Sequence, residues 1–376
     1  MADGPSSGAP WVVSVGDSYI SGEAGRWAGN SDSSEKLIDA GGPTTYFDNA
    51  SHTAETIPRC HRSSSAEIYL GGGVSGLDLA CSGAKTSTVP SDSQGYFKPG
   101  IDFYNGSAGQ GQALTLQNFA SSHHVTMVAV SIGGNDFNFG SIVTDCVEDF
   151  MLSSSLFPHY CSRDSVTTSA MSASNVAAVT AKIATAFQNV RTAMRNAGYA
   201  DNGWTLMVQN YPSPIPTGSG FRYSQSGYTR QSTGGCGFWN NDADYANNTI
   251  LPTINNAIAS AETQSGLANI KTMNVAAAFN GRRLCETGVN LVEKAGLTSW
   301  QSPGAVDKTE WIDQVRTVTT VGSDYYLQED LHPNHWGQLA LRDCLRQAYN
   351  GDAPRSGSCI RGTGLTAAGE PAMTLQ

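Results

Sequence analysis

The sequence predicts an α/β fold: a three-layer α/β/α sandwich with a mostly parallel central sheet and long loop insertions. Two observations predict it. Short apolar runs of strand length stand at 11–15, 125–132, 204–210 and 271–279, with a weaker one at 317–321. Longer stretches whose apolar residues recur every three or four positions alternate with these runs. Strand, helix, strand in that rhythm builds a sheet covered on both faces, so its strands read as continuous apolar runs.

The elements follow in order. Trp11-Val12-Val13-Ser14-Val15 is a first strand, and Val125-Thr126-Met127-Val128-Ala129-Val130-Ser131-Ile132 is a second. Over 170–197, Val176, Val179, Ile183, Phe187, Val190 and Met194 share one helical face, and Gly198 supplies a stop. A second helix reads through about 243–261, with Ile250, Ile254 and Ile258 on one side. A third follows His332-Pro333, because proline sits in a first turn without losing a hydrogen bond. The stretches 26–60, 84–112, 211–240 and 286–311 are rich in Gly, Ser, Pro and Asn and read as long functional loops. No repeat and no clean linker appears. We expect an N-terminal tail over 1–10, one elaborated domain over 11–349, and a C-terminal extension over 350–376 tethered by a disulfide.

Composition narrows the function. Of the 376 residues, 39% are hydrophobic and 14% charged, which describes a folded chain rather than a disordered one. The net charge is -10 with only 22 Lys and Arg, so no basic stripe offers itself to nucleic acid. No apolar run approaches the roughly 20 residues that span a bilayer. Residues 1–10 are polar and do not read as a signal peptide, so a secreted protein would stand here in mature or recombinant form, and Met1-Ala2 fits an expression start. Its eight cysteines are widely spaced, with no C-x-x-C, and imply disulfides in an oxidising, extracellular compartment. Sequence alone leaves many pairings open. The sequential one (Cys60–Cys81, Cys146–Cys161, Cys236–Cys285 and Cys344–Cys359) closes the shortest loops and is the one we expect.

Three short motifs carry chemistry. Gly16-Asp17-Ser18-Tyr19 follows the first strand, where a serine hydroxyl is exposed at the carboxyl edge of a parallel sheet. Alone it would read as a turn or helix-capping serine. Gly133-Gly134-Asn135-Asp136 follows another apolar run: glycine admits close approach of substrate, and an asparagine amide donates to an oxyanion without adding charge. His332, in Glu329-Asp330-Leu331-His332-Pro333, has the pKa range to take and return a serine proton. His335 competes with it but belongs to the first helical turn, and His123 and His124 read as loop residues. Asn240-Asn241-Asp242-Ala243-Asp244 lacks an ordered calcium-ligand spacing and reads as helix capping.

Together these motifs resemble the SGNH hydrolases, the GDSL esterases and lipases, and in particular their secreted actinobacterial-type branch. Asp78-Leu79-Ala80-Cys81-Ser82-Gly83-Ala84, Cys60-His61-Arg62-Ser63, Tyr211-Pro212-Ser213-Pro214 and Phe279-Asn280-Gly281-Arg282-Arg283-Leu284-Cys285-Glu286 add to the resemblance, which spans roughly 11–345. It implies a flavodoxin-like sheet, Ser18 as nucleophile, and His332 as acid and base. The Ser18 N–H, the Gly83 N–H and the Asn135 amide would form the oxyanion hole. The family's acid usually stands three before the histidine, which is Glu329 here. Asp330 is its rival, and in some members a backbone carbonyl orients the histidine instead.

The expected activity is a carboxylic ester hydrolase working through an acyl-enzyme on short- or medium-chain esters, including lipids. It needs no metal or organic cofactor, no nucleic acid and no transmembrane segment, and we expect a monomer. Acetylated polysaccharide, phospholipid, and a silent binding role on the same scaffold are the alternatives.

Overall fold

The structure is a computed structural model that describes residues 4, 7–316 and 327–376. The weak strand expected at 317–321 lies outside the described residues. Strands β1 (Trp11–Gly16), β2 (Ser75–Asp78), β3 (Val125–Ser131), β4 (Thr205–Gln209) and β5 (Ile270–Asn274) lie in the order β2-β1-β3-β4-β5, each parallel to its neighbour. All seven residues of β3 are buried, as a strand covered on both faces must be. β2 carries Gly76 and spans four residues, too short for its pattern to show in the sequence.

The sheet does not end at β5. Strand β6 (Gly357–Leu365) joins β5 in parallel, and β7 (Pro371–Leu375) pairs back onto β6 antiparallel. The fold-class expectation is corrected accordingly. In place of a flavodoxin-like sheet with an appended C-terminal stretch, the protein has an α/β fold whose sheet, seven-stranded among the described residues, is mixed and flanked by helices. The physical reason lies in the composition of the hairpin. Residues 357–365 include three glycines, and the hairpin buries only Cys359, Met373 and Leu375 of its hydrophobic side chains strongly. A half-buried edge hairpin with so few apolar anchors gives a weak pattern. Cys344–Cys359 ties it to the last helix.

Among the described residues, the helices that flank the sheet or border its crevice include α1 (Ser18–Ser21), α2 (Gln112–Ala120), α3 (Phe139–Leu152), α4 (Ala173–Asn196), α5 (Leu251–Ser265) and α6 (His335–Tyr349). α4 begins where the Ser172 hydroxyl accepts the Asn175 N–H, and it stops before Gly198, whose φ of 99° suits glycine. Its buried face holds Val179, Ile183, Phe187, Val190 and Met194. Each such side chain contributes about 1.5–3 kcal/mol by leaving water. The pattern read over 243–261 is broken in the structure. A short helix at Asn240–Tyr245 leads through a π turn at Ala246–Ile250 into α5.

The chain order places the site. β1 continues to β2 on one side, and the chain then returns to β3 on the other, so the carboxyl ends of β1 and β3 flank a crevice. Gly16 stands opposite Ser131 there. Ligands bind at such switch points because helix starts and loops open into the gap.

Candidate active site

The serine turn is fixed by three neighbours. Gly16 has φ of 143°, and a Cβ there would lie 2.0 Å from the Ser131 carbonyl oxygen, so only glycine lets β1 pass so close to β3. The Gln112 amide brackets that peptide: Gly16 N–H donates to Oε1 (2.7 Å) and Nε2 donates to the Gly16 carbonyl (2.9 Å). Asp17 caps α1 by accepting the Tyr19 N–H at 3.2 Å, and its other oxygen accepts the Tyr211 hydroxyl. Burial pushes the Asp17 carboxyl up to about 7, against the pull of the Tyr211 bond. Ser18 therefore enters the crevice from a rigid, buried corner.

His332 meets it. Nε2 lies 2.6 Å from Ser18 Oγ, while Nδ1 lies 3.0 Å from the Asp330 carbonyl and 3.2 Å from the Glu329 carbonyl. A carbonyl only accepts, so Nδ1 carries the proton and Nε2 is left to accept from the serine. Leu331 makes this possible. Its φ of 61° turns the chain through the left-handed region, and the Tyr19 hydroxyl donates to its carbonyl at 2.9 Å. The loop is held further by Asp313 N–H to the His332 carbonyl (2.9 Å) and by Asn334 N–H to the Trp311 carbonyl (2.9 Å). Burial pulls the imidazole below its ordinary pKa; Glu23 and the two carbonyl bonds oppose this without overcoming it.

The expectation that the Glu329 carboxylate orients the histidine is not met in this geometry. That carboxylate accepts Trp27 Nε1–H at 2.6 Å and the Tyr46 hydroxyl, and it is fully buried. The Asp330 side chain turns to the Arg316 N–H at 3.1 Å. A left-handed Leu331 points both carbonyls at the ring and both carboxylates away from it.

Gly83 and Asn135 line the same cavity as Ser18 and His332. Gly83 has φ of 78°, and a Cβ there would lie 3.3 Å from Lys98 Cε. Asn135 Nδ2 donates to the Ala84 carbonyl at 2.9 Å, which ties one loop to the other. Asp136 strengthens the tie by accepting the Thr86 N–H (2.9 Å) and hydroxyl (2.8 Å). Gly134 N–H donates to the Tyr211 hydroxyl at 3.0 Å, so the second loop is fastened to the hydroxyl that also holds Asp17.

The cavity holds about 890 Å³, within the range of sites that enclose a small ligand. Its lining includes Phe139, Val143 and Val147 of α3, Ile250 of the π turn, and Leu251 and Ile254 of α5. None of its lining residues among those described is a tryptophan.

Other residues singled out from sequence lie elsewhere. His335 packs edge-on against Trp300, with Nδ1 3.3 Å from the Gly25 carbonyl, and burial pulls it down to about 4. His123 stacks on Phe119. Asp242 accepts the Cys161 and Ser162 N–H groups, and Asp244 accepts that of Gly218. The eight cysteines are joined as Cys60–Cys81, Cys146–Cys161, Cys236–Cys285 and Cys344–Cys359. One feature beside the catalytic pair had no sequence reading: fully buried Glu23 faces fully buried His61 at 2.6 Å.

The fold and site define an α/β serine hydrolase with four disulfides. No family model and no curated protein matches the chain. Among solved structures it is similar to an extracellular lipase from Streptomyces rimosus, at 19% identity over 88% of this chain and 95% of that one, with a TM-score of 0.41. It is also similar to a phospholipase A1 from Streptomyces albidoflavus, at 19% identity over 92% and 100%, with a TM-score of 0.45. A family two carbohydrate esterase from Clostridium thermocellum matches at 12% identity over 91% and 63%, with a TM-score of 0.34. Likeness this distant carries no substrate and no family. The SGNH/GDSL assignment suggested by the motifs is therefore corrected: the sheet is mixed, and no family is assigned to the chain.

Proposed function

We propose that the protein is a secreted carboxylic ester hydrolase that acts through an acyl-enzyme on Ser18, with medium-length acyl esters as its substrates. One observation carries the reading: a Ser18 hydroxyl 2.6 Å from His332 Nε2, with Nδ1 turned to two carbonyls, at the wall of a cavity with aliphatic sides.

His332 Nε2 takes the Ser18 proton as Oγ bonds to the ester carbonyl carbon. Charge then appears on the carbonyl oxygen, where the Ser18 N–H, the Gly83 N–H and the Asn135 amide receive it. Collapse breaks the bond to the alcohol oxygen, which leaves with the proton from Nε2. Water then loses a proton to Nε2 and attacks the acyl-enzyme, and Ser18 departs with that proton. Protonated His332 gains partners in both carbonyls, which suit an N–H donor whichever step the ring is in. The aliphatic wall from α3 and α5 would take the acyl chain, which argues against acetyl groups on polysaccharide. The four disulfides fit an extracellular setting.

The test is turnover of p-nitrophenyl esters from acetate to palmitate by the parent protein and by Ser18→Ala. We expect an optimum at intermediate chain length and loss of turnover in the variant. Equal rates from the two proteins would remove Ser18 from the mechanism, and an optimum at acetate would favour a sugar acetylesterase.

A further inference from the structure

Ser18 opens α1, and the residue after it, Tyr19, reaches the histidine loop from a buried position. The Tyr19 hydroxyl donates to the Leu331 carbonyl at 2.9 Å, and the Tyr19 and His332 rings lie 5.1 Å apart, centroid to centroid. The two segments are therefore joined twice. Ser18 meets His332, and each one's neighbour, Tyr19 and Leu331, meets the other. Burial, with help from the Asp17 charge, raises the Tyr19 phenol far above its ordinary value, so it stays a neutral donor. Tyr211 packs edge-on against the Tyr19 ring at 5.2 Å.

Leu331 needs this support. A side chain other than glycine at φ of 61° is strained, and the conformation persists only where the surroundings hold it. Both of its peptides are held: the Leu331 N–H donates to the Asp313 carbonyl at 3.2 Å, and its carbonyl accepts from Tyr19. That N–H belongs to the same peptide as the Asp330 carbonyl, which lies 3.0 Å from His332 Nδ1. If Leu331 relaxed toward an ordinary backbone angle, the carbonyl would turn off the ring. Gln338 of α6, fully buried, braces the same seam: its Nε2 donates to the Tyr19 carbonyl at 3.3 Å and to the Pro333 carbonyl at 3.4 Å.

We propose that Tyr19 is a positioning residue for the general base: its hydroxyl holds Leu331 in the left-handed turn and so keeps the Asp330 and Glu329 carbonyls on His332 Nδ1. The proposal rests on the Ser18–His332 reading. A triad acid orients its histidine by direct contact with Nδ1. Here the nucleophile's own helix does so through a backbone turn. Hydrogen bonds strengthen when the donor is charged, so the two carbonyls favour the protonated ring. Glu23 favours it too, His61 disfavours it, and the Glu329 and Asp330 carboxylates turn away to other partners. Removing the Tyr19 hydroxyl leaves Glu23 and His61 in place and loosens the carbonyls, so His332 should give up its proton more readily.

The experiment is the pH dependence of kcat and kcat/KM on a p-nitrophenyl ester for the parent, Tyr19→Phe and Tyr211→Phe. Each variant loses one buried hydroxyl, but that of Tyr211 holds Asp17 and the Gly134 N–H rather than the histidine loop. Tyr19→Phe should lower kcat about tenfold with KM within about twofold, and it should move the acid limb of kcat/KM to lower pH. Tyr211→Phe should also lower kcat, with the acid limb left where the parent has it. Parent-like kcat in Tyr19→Phe, an acid limb that does not move, or the same shift from both variants overturns the proposal. Absence of parent turnover would sink the hydrolase reading instead, and NMR titration of the His332 ring in parent and Tyr19→Phe would then decide: a lower pKa in the variant supports the brace, and equal values overturn it. If Tyr19→Phe does not fold, the hydroxyl proton of Tyr19 in the parent decides. We expect it to exchange slowly with solvent and to show an NOE to the His332 ring; exchange as fast as that of an exposed tyrosine overturns the proposal.

Discussion

Replacing Glu329 with glutamine separates two roles that sequence cannot tell apart. If the carboxylate oriented His332, its loss would cost about 10⁴-fold in kcat, as for a triad acid. The structure instead gives that carboxylate to Trp27 Nε1 and the Tyr46 hydroxyl, with Nδ1 on backbone carbonyls. A glutamine keeps one acceptor oxygen and turns an amide toward the other donor, so one charge-assisted bond is lost. Bonds to charged groups contribute about 1.5–3 kcal/mol, and burial already favours the neutral form of Glu329, so the lower end applies and we expect about 2 kcal/mol. The assay is a pair: urea unfolding for stability and kcat/KM on a p-nitrophenyl ester. The expected result is a lower unfolding midpoint at unchanged slope, with kcat/KM within about threefold of the parent. A loss of a hundredfold or more in kcat with stability intact would refute the carbonyl-oriented histidine.

Asn135→Ala should lower kcat by about 10²–10³ with little change in KM, because its amide would act only once the oxyanion forms; steady-state kinetics reads this directly. Stability should depend on Asp17. Its folded pKa is raised to about 7, so its contribution is fully present below the ordinary aspartate range and is lost as pH rises through about 7. Asp78 and Glu67, raised by burial to about 7 and about 8, act in the same direction. Urea midpoints should thus fall from pH 5 to pH 8, and Asp17→Asn should flatten part of that slope. Removing Cys236–Cys285 by paired serine substitution opens a loop with a sequence separation of 49 and should cost about 4 kcal/mol in the chain-entropy account, measured by the same unfolding experiment.

Much of the site was readable because its parts sit where the chain's pattern changes. Ser18 follows an apolar strand, Gly133-Gly134-Asn135 follows another, and His332 precedes a proline that starts a helix. The structure brings all three to one cavity. What was not readable depends on geometry without a residue signature. Leu331 gives no sign in the sequence of its left-handed backbone, yet that angle decides whether carbonyls or carboxylates face His332. Glu23 and His61 are far apart in the chain, and only the fold buries them together. The C-terminal hairpin was missed for a different reason: its alternation is diluted by glycine, and it gains stability from the strand beside it and from Cys344–Cys359. That hairpin makes the sheet mixed, which the sequence pattern did not show.

Covalent labelling tests the central claim most directly. A p-nitrophenyl alkylphosphonate phosphonylates an activated serine, forming an Oγ–P bond as p-nitrophenolate leaves. Peptide mapping by mass spectrometry after reaction with the parent and with His332→Ala then locates the adduct. The account predicts one adduct, on Ser18 in the parent, formed far more slowly when His332 is absent. An adduct on another residue, or Ser18 labelled as fast without His332, would contradict it.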